Sequence, residues 1–398
     1  MKIFLVLALA LLPNCACAKE KVLLGIDVLQ KDGFALLKGK KIGLITNHTG
    51  VNSKGESTID LLYNAPGVKL VSIFAPEHGL RGIEEHGKEI TDGKDAKTGL
   101  PVYSLYGKTK RPTDEMLKGL DALVFDIQDI GTRFYTYTTT LAYALEEAAR
   151  HNLEFVVLDR PNPITGAVVE GEPLAPGIDH FTAYLHIPTR HGMTAGEIAG
   201  WHNATARLNA KLIVVKMQGW RRDMWWDDTG LAFHPTSPNI QTLNAALLYP
   251  AIGAFEATNV SVGRGTKMPF EIFGAPWINA DELADKMDFF LLRGLEISPV
   301  VFVPADDLYK GEKCGGIKIK IADKNTARPI DLFVYAAVAL RELYPDQFVL
   351  RWDEVARVTG SDTFKKLLLQ NQSAEAILEI FHNKAAKFQE ESGEYLLY

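Results

Sequence analysis

A glutamate and a histidine stand side by side in the stretch 75–82, which reads Ala-Pro-Glu-His-Gly-Leu-Arg-Gly. This stretch follows an apolar run at 68–74, which predicts a buried strand. Ligands of open α/β sheets bind at the carboxyl ends of the strands. Glu77 and His78 are therefore the first candidates for a catalytic centre, with Glu77 as its working group.

Three other predicted strands also end in polar residues. The polar segments 46–48, 126–133 and 159–163 each follow an apolar run. Because a parallel sheet brings the carboxyl ends of its strands to one rim, we expect these side chains to share a cleft with Glu77. The predicted cleft residues are Asn47, His48, Glu77, His78, Asp126, Gln128, Asp129, Arg133, Asp159 and Asn162.

A cleft that is rich in carboxylates and has no phosphate-binding loop favours hydrolysis. Glycoside cleavage needs an acid that protonates the departing oxygen and a second group that stabilises the charge at the sugar carbon. We expect burial to raise the pKa of Glu77 so that it serves as the acid. Asp126 or Asp129 would then stay ionised beside Arg133.

Sequence motifs of several other enzyme classes are missing from the chain. It contains no Gly-x-Ser-x-Gly nucleophile elbow, no Gly-x-Gly-x-x-Gly fingerprint and no Walker loop. These absences argue against an acyl hydrolase, a dehydrogenase and an NTPase.

A second polar cluster lies further along the chain. Segment 235–239 is polar and flanked by prolines, and segment 255–266 mixes Glu, Asn and Arg with glycines. Arg264 is suited to hold an anionic substrate group through paired hydrogen bonds, and Trp277 offers a flat face to a sugar. The candidate binding residues of this region are Asn239, Glu256, Asn259, Arg264 and Trp277.

The elements that must position these residues alternate between strands and helices from Lys40 to Gln218. Strands are predicted at 42–46, 68–74, 122–127, 155–158 and 212–216, and helices at 57–63, 112–118, 138–151 and 194–208. This alternation is typical of an α/β fold with a mostly parallel, doubly wound sheet. The long loop from His78 to Pro101 is expected to form a lid or wall of the site.

Near Trp220 the sequence becomes rich in Trp, Arg and Asp, and prolines follow. This change in composition predicts a domain boundary. We divide the chain into a signal peptide at 1–18, a first domain at 19–230 and a smaller α+β domain at 231–398. The second domain is expected to contain strands at 300–304 and 316–321 and helices at 280–292, 331–343, 362–370 and 374–388.

The N-terminus predicts export. Lys2 precedes an apolar run at 3–12, and Ala16-Cys17-Ala18 is a typical cleavage site. The expected location is the periplasm, because the residues before Cys15 and Cys17 fit a lipoprotein signal poorly. The run is shorter than the ~18 residues of a spanning helix, and no later segment reaches that length, so we expect no integral membrane segment in the mature chain.

The remaining composition narrows the partners and cofactors. Cys314 is the one cysteine beyond the predicted signal peptide, which predicts a chain without disulfides. The formal charge is −6 and there is no block of Lys and Arg, which argues against nucleic acid as a partner. His48, His78 and His86 with Asp92 lack the spacing of a metal site, so we expect no metal and no other cofactor.

Several blocks together resemble the exo-β-N-acetylmuramidase family, NamZ/YbbC-like, glycoside hydrolase family 171. The blocks lie at 76–79, 126–133, 158–163, 191–194, 237–239, 263–266 and 276–277, and in this order they are highly specific. The resemblance covers about Leu24 to Tyr398. It implies a Rossmann-like domain and a smaller domain that enclose a cleft without an organic cofactor.

The resemblance also implies an activity, namely removal of N-acetylmuramic acid from the non-reducing end of peptidoglycan fragments. It assigns the catalytic glutamate to Glu77 and adds His191 to the candidate substrate-binding residues. The second catalytic group stays open between Asp126, Asp129 and the acetamido group of the substrate. Arg264 and Arg133 are the candidates for binding the lactyl carboxylate of the sugar.

Two other functions stay open from the sequence. The same cleft would serve a non-catalytic muropeptide-binding protein. An amidase or esterase that acts on wall fragments is a further alternative, and the missing nucleophile elbow counts against it.

Overall fold

The structure is a computed structural model that describes residues 21–398. The predicted signal peptide at 1–18 lies outside the described residues. Near the start of this range, Val22 is fully buried and its N–H donates to the carbonyl of Thr229 at 3.0 Å. Within this range no helix is long and apolar enough to cross a membrane.

The described residues form two sheets. The strands are β1 (Lys41–Thr46), β2 (Lys69–Ala75), β3 (Gly93–Lys94), β4 (Pro101–Ser104), β5 (Ala122–Asp126), β6 (Glu154–Leu158), β7 (Lys211–Val215), β8 (Ile272–Ala275), β9 (Leu295–Phe302) and β10 (Cys314–Ile321). The first seven strands form one sheet and the last three form the other.

Helices cover both faces of the larger sheet and build most of the second domain. They are α1 (Gly25–Lys31), α2 (Thr58–Tyr63), α3 (Asp114–Leu117), α4 (Thr136–Arg150), α5 (Ala195–Thr205), α6 (Leu243–Ile252), α7 (Ala280–Asp288), α8 (Pro329–Leu343), α9 (Trp352–Thr359), α10 (Thr363–Leu369) and α11 (Ala374–Glu391).

The larger sheet has the order β3-β4-β2-β1-β5-β6-β7, and its neighbours are parallel except for β3 and β4. The chain moves from β1 outward to β2 and β4, then returns beside β1 with β5 and moves the other way. The strand order therefore reverses between β1 and β5. The predicted doubly wound, mostly parallel sheet is confirmed.

The two faces of this sheet pack against different partners. Leu44 and Val124 point toward the face that α1 and α2 cover, whereas Ile45 and Phe125 point toward α4 and the second domain. Both faces are buried, which explains why the strands read as continuous apolar runs rather than as alternating patterns.

The second domain contains the antiparallel sheet β8-β10-β9 together with α6 to α11, so the prediction of a smaller α+β unit is confirmed. Its core is continuous with that of the first domain, because Leu145 of α4, Leu247 of α6 and Phe333 of α8 belong to one apolar cluster. The placing of the boundary at 230 stays a prediction.

Buried polar contacts join the two domains. The carboxylate of Glu170 pairs with Arg190 at 2.5 Å and accepts the N–H of Ile330, at the start of α8, at 3.0 Å. The chain end returns to the first domain, where the Tyr398 hydroxyl donates to Asp159 at 2.8 Å. These contacts fix the second domain against the sheet edge that carries the site.

Candidate active site

Residues of both domains line a cavity of about 410 Å³, which we call the central cavity. The first domain contributes the end of β2, part of the loop that follows and the start of α4. The second domain contributes segment 253–264, residues 307–308 and part of α9. The predicted loop wall is present, since His78 and His86 of the loop line the cavity.

Glu77 lies in the wall of this cavity, and only 2 % of it is exposed. Its Oε2 accepts the hydroxyl of Thr136 at 2.7 Å. Its Oε1 accepts the N–H of Gly87 at 3.1 Å and lies 3.0 Å from Nδ1 of His86. Thr136 is the first residue of α4, so the carboxylate sits at the positive end of a helix.

The charge state of Glu77 differs from the sequence expectation. Burial does favour the neutral acid, but hydrogen bonds and charge from His86, the charge of His78 and the Thr136 hydroxyl outweigh it, and the pKa of Glu77 falls to about 2. The expectation of a raised pKa is therefore wrong in sign. At neutral pH Glu77 is a carboxylate, and its hydrogen bond raises the pKa of His86.

His78 shapes the loop. Its backbone has φ of +69°, a left-handed conformation that is uncommon outside glycine. Its Nδ1 donates to the carbonyl of Glu84 at 2.7 Å, and burial lowers its pKa. Further along the loop a Cβ on Gly82 would lie 2.0 Å from the His48 ring, so this close approach requires glycine.

Arg264 brings a positive charge to the cavity wall from the second domain. Its Nε donates to Glu256 at 2.7 Å, Asp307 lies 3.6 Å away, and the guanidinium lies 5.0 Å from the centre of the Phe270 ring. Both Arg264 and Glu256 line the central cavity, as the sequence predicted. A guanidinium has five N–H donors, so the bond to Glu256 leaves others for an anionic ligand.

Aromatic rings form the apolar part of the wall. The rings that line the cavity are Phe134, Tyr135, Tyr249 and Phe270. They contact one another in edge-to-face and tilted pairs, with Tyr249 lying 4.9 Å from Phe270 and 5.6 Å from Tyr135. A cavity lined by both charged groups and aromatic rings suits a ligand with both polar edges and apolar faces, as a sugar has.

Asn47 and His48 do not line the cavity but hold a segment that does. Asn47 donates to the Tyr137 hydroxyl at 3.0 Å, and Tyr137 in turn donates to the carbonyl of Thr236 at 2.9 Å. His48 donates from Nε2 to the carbonyl of Pro235 at 2.6 Å. Both residues thereby position Ser237, a residue of the cavity wall.

Asp126 lies outside the cavity wall and is fully engaged elsewhere. Arg160 donates to its two carboxylate oxygens at 2.6 and 2.9 Å, and the Thr58 hydroxyl donates at 2.5 Å. Asp126 is 1 % exposed. The structure thus corrects two expectations: the cation beside Asp126 is Arg160 rather than Arg133, and its carboxylate faces a buried ion pair rather than a substrate.

Arg133 is not a substrate ligand, because 1 % of it is exposed and its head group is enclosed by carbonyls. Nη1 donates to Glu172 and Ile187, and Nη2 donates to Arg357 and Val358, all at 2.9 to 3.1 Å. Arg357 and Val358 belong to the cavity wall. The predicted binding residue is therefore a structural clamp that holds α9 against the first domain.

Gln128 and Asn162 connect neighbouring strand ends instead of facing the cavity. Nε2 of Gln128 donates to the carbonyl of Pro161 at 2.8 Å, and Nδ2 of Asn162 donates to the carbonyl of Met193 at 3.0 Å. Both side chains are buried. They brace the rim on which the site is built.

Asp129 and His191 form a second buried contact outside the cavity wall. The N–H of Met193 donates to Nδ1 of His191, so Nε2 of the ring is the donor to Asp129 at 3.2 Å. Asp129 also accepts the N–H of Gly131 at 2.7 Å. His191 is fully buried, so this pair shapes the turn after β5.

The remaining predicted residues of the second domain also lie beside the cavity rather than in its wall. Asn239 stands in the turn between Ser237 and Ile240. Asn259 holds the segment before α9, because it donates to Gln347 at 2.7 Å and accepts from Val349 at 2.8 Å. Trp277 packs on Tyr344 and Phe348 and donates to Tyr309, so it is a packing residue rather than a sugar platform.

Sequence reasoning missed several residues that contact Glu77 or line the cavity, namely His86, Tyr106, Thr136, Tyr249 and Arg351. Thr136 had a usable signal, because it opens a helix directly after a polar strand end, where anions bind. His86 had none. It lies among Glu84, Glu85 and Glu89, a charge pattern that is typical of a solvated loop.

Within residues 21–398, no group of three or more His, Cys, Asp and Glu side chains is arranged to hold a metal ion. The charged and titratable groups of the cavity wall include carboxylates, imidazoles and guanidinium groups. A buried carboxylate and a charged, aromatic-walled cavity between the two domains of an α/β protein are the layout of a hydrolase for a sugar-like substrate.

Comparison with known proteins agrees with this class. Residues 42–244 match the description Exo-beta-N-acetylmuramidase NamZ, N-terminal, and residues 247–398 match Exo-beta-N-acetylmuramidase NamZ, C-terminal. The chain therefore belongs to the NamZ exo-β-N-acetylmuramidase family. The predicted family and the prediction of an enzyme, a glycoside hydrolase, are confirmed.

Individual relatives match over almost the whole chain. The peptidoglycan beta-N-acetylmuramidase NamZ of Bacillus subtilis (strain 168) is 42% identical over 386 residues, which cover 97% of this chain and 93% of that protein. A crystal structure of a DUF1343 family protein from Bacteroides fragilis NCTC 9343 is similar with a TM-score of 0.89 and 40% identity, and covers 95% of this chain and 99% of its own. A second such protein from the same strain has a TM-score of 0.76 and 28% identity, with the same coverage.

Proposed function

We propose that this protein is an exported exo-β-N-acetylmuramidase that releases N-acetylmuramic acid from the non-reducing end of peptidoglycan fragments, with Glu77 as general acid/base. The observation that carries the proposal is the buried Glu77 carboxylate in the wall of a cavity that Arg264 also lines. The NamZ family match and the curated relative from Bacillus subtilis support the substrate class.

Two carboxylates that the sequence offered as the second catalytic group lie outside the cavity wall. Asp126 is enclosed by Arg160 and Thr58, and Asp129 is bound to His191. The other carboxylates of the described wall lie beside arginines. Glu256 and Asp307 lie 2.7 and 3.6 Å from Arg264, and Glu354 lies 2.6 Å from Arg351. This arrangement favours the acetamido group of the substrate as the nucleophile, as in glycosidases that lack a protein nucleophile.

In this mechanism the acetamido oxygen attacks the anomeric carbon while the bond to the departing oxygen breaks. The bonding electron pair goes to that oxygen, which receives a proton from the Glu77 site. Water then opens the cyclic intermediate, adding a hydroxyl to the anomeric carbon and returning a proton to the Glu77 site. The enzyme regains its starting protonation state after each turnover.

Arg264 is proposed to bind the lactyl carboxylate that distinguishes N-acetylmuramic acid from N-acetylglucosamine. It lines the same cavity as Glu77, and its guanidinium donates to Glu256 at 2.7 Å. A charge-assisted pair in a partly dry cavity is stronger than a neutral hydrogen bond. Selectivity would then come from one residue that does not take part in bond cleavage.

Export rests on the sequence pattern of residues 1–18. Mass measurement of the protein isolated from the periplasm is expected to show a chain that starts at Lys19. A full-length chain retained in the cytoplasm would contradict export without affecting the activity.

The function is tested by incubating the protein with a short oligomer of alternating N-acetylmuramic acid and N-acetylglucosamine that begins with N-acetylmuramic acid. The expected products, by mass, are free N-acetylmuramic acid and the oligomer shortened by one residue. Binding without turnover would indicate a muropeptide-binding protein. Release of a stem peptide from a peptide-bearing oligomer would indicate an amidase.

A further inference from the structure

The hydrogen bond between Glu77 and His86 joins an almost fully buried carboxylate to an imidazole whose side chain is 51% exposed. Oε1 of Glu77 lies 3.0 Å from Nδ1 of His86, and both residues line the central cavity. His86 belongs to the loop after β2, whereas Thr136 holds the other carboxylate oxygen from α4. The two oxygens of Glu77 therefore have different partners, one of which can carry and release a proton.

Other charged and titratable groups surround the pair. Arg264 and Glu256 face His86 from the second domain, and His78 faces both members from the start of the loop. Tyr106 faces Glu77 from the segment after β4. Glu256 and Arg264 act on His86 in opposite directions, so the carboxylate of Glu77 is the main influence on the imidazole.

We propose that Glu77 and His86 act as a single acid–base pair, in which His86 holds the proton that the departing sugar oxygen receives through Glu77. The proposal rests on the proposed function and refines it. The proton first moves from Nδ1 to Oε1 of Glu77 along the existing hydrogen bond, and the resulting carboxyl group then gives it to the leaving oxygen. The proton released by the attacking water returns the same way, so atoms and charge balance over the cycle.

A free carboxylate alone cannot serve as the acid at neutral pH when its pKa is about 2. The pair overcomes this difficulty. At pH values that lie between the pKa of Glu77 and the raised pKa of His86, the pair holds one proton. Such coupled groups titrate as one unit. His86 is a positioning residue in this scheme, since it reaches the substrate through Glu77.

The first test compares the pH dependence of kcat/KM for the wild type and His86→Gln. Glutamine keeps an N–H donor but cannot give up a proton, so the remaining proton sits on Glu77. We expect the upper pH limit of activity to move down by about one pH unit or more. His86→Ala gives the same test without a donor, and equal thermal midpoints confirm that the variants are folded.

The second test varies the leaving group on N-acetylmuraminides. A dinitrophenyl group departs without protonation, whereas an N-acetylglucosamine group does not. We expect His86→Gln to lose about 100-fold in kcat with the sugar leaving group and less than about threefold with dinitrophenyl. A role that is only structural would lower both rates equally.

His382→Gln is the matched control. His382 lies on α11, away from the cavity, and is also half-exposed. It donates to the carboxylate of Asp331 at 2.8 Å. The variant should change neither the pH limit nor the leaving-group dependence. An unchanged pH limit in both His86 variants, with equal losses on both substrates, overturns the pair while leaving Glu77 in place. Full turnover by Glu77→Gln overturns the proposed function itself.

Discussion

Single residues of this protein divide into those that face the central cavity and those that hold its walls. Glu77, Glu256 and Arg264 line the cavity wall. The polar atoms of Asp126 and Arg133 bind buried partners instead. The same residue types occur in both groups. What separates them is their position, because the first group lines the cavity and the second does not.

Arg264→Ala tests the proposal that Arg264 binds the lactyl carboxylate of the substrate. Loss of a charge-assisted pair should lower kcat/KM for an N-acetylmuraminide by about 10- to 100-fold. The rate for the matching N-acetylglucosaminide should change little, so the preference between the two sugars disappears. Aryl substrates of both sugars give this ratio directly.

Arg293→Ala is a suitable control, because Arg293 is an exposed arginine outside the cavity. It should leave the ratio of the two rates at the wild-type value. An unchanged ratio in Arg264→Ala would place the recognition of the lactyl carboxylate on another residue.

At the scale of elements, the site depends on how α9 and the loop after β2 are held. Arg133 fixes the carbonyls of Arg357 and Val358, at the end of α9, to the first domain. Residues 134–136 follow Arg133 directly and provide both a ring of the wall and the hydroxyl on Glu77. One buried side chain thus sets the spacing between the two walls of the cavity.

Arg133→Met is expected to destabilise the protein by about 3 kcal/mol or more, because it leaves several buried carbonyls without a donor. The loosened α9 should also raise KM for an N-acetylmuraminide more than it lowers kcat. Urea unfolding and steady-state kinetics measure the two effects. Arg293→Met, an exposed counterpart, should change neither, and a loss of stability under about 0.5 kcal/mol in Arg133→Met would refute the clamp.

Most elements could be predicted from the sequence because their patterns are local. The strands β1, β2, β5 and β6 are buried on both faces and read as apolar runs, and α4 has an apolar face. Other elements lack such a pattern. Helix α6 is buried on nearly all sides and contains Pro250, and β8 is a four-residue strand with a glycine.

The sequence predicted the position of a residue at the rim where that residue directly follows a strand, as Glu77 does, and the catalytic role of Glu77 stays a prediction. It could not predict a position that a distant partner decides. No local pattern reveals that Arg160 neutralises Asp126, or that carbonyls from α9 enclose Arg133. The sign of the pKa shift of Glu77 likewise depends on His86. The folded loop brings His86 to the carboxylate, and no local sequence pattern indicates that contact.

At the scale of the whole molecule, buried carboxylates link stability to pH. Burial favours the neutral form of Glu146, but His202, Tyr184 and Arg111 outweigh it and lower its pKa from 4.5 to about 2. At pH values between these two pKa values, the unfolded chain binds more protons than the folded chain. The contribution of Glu146 to stability is therefore complete above about pH 4.5 and is lost as the pH falls toward 2.

Glu146→Gln should accordingly lower the free energy of unfolding at neutral pH and have a smaller effect at about pH 3. Urea unfolding at the two pH values measures this difference. Glu115→Gln, which removes an exposed carboxylate on α3, should have little effect at either pH. A penalty for Glu146→Gln that stays constant or grows in acid would contradict the assignment.

The two domains come together so that one buried carboxylate faces a shared cavity, and the central claim is that this carboxylate drives glycoside cleavage. The most direct measurement is kcat of Glu77→Gln on a disaccharide of N-acetylmuramic acid and N-acetylglucosamine, whose leaving group needs a proton, beside the wild type and Glu115→Gln. We predict a loss of about 1000-fold in Glu77→Gln, with urea unfolding showing a folded protein, and no loss in Glu115→Gln. Turnover by a folded Glu77→Gln near the wild-type rate would contradict the claim.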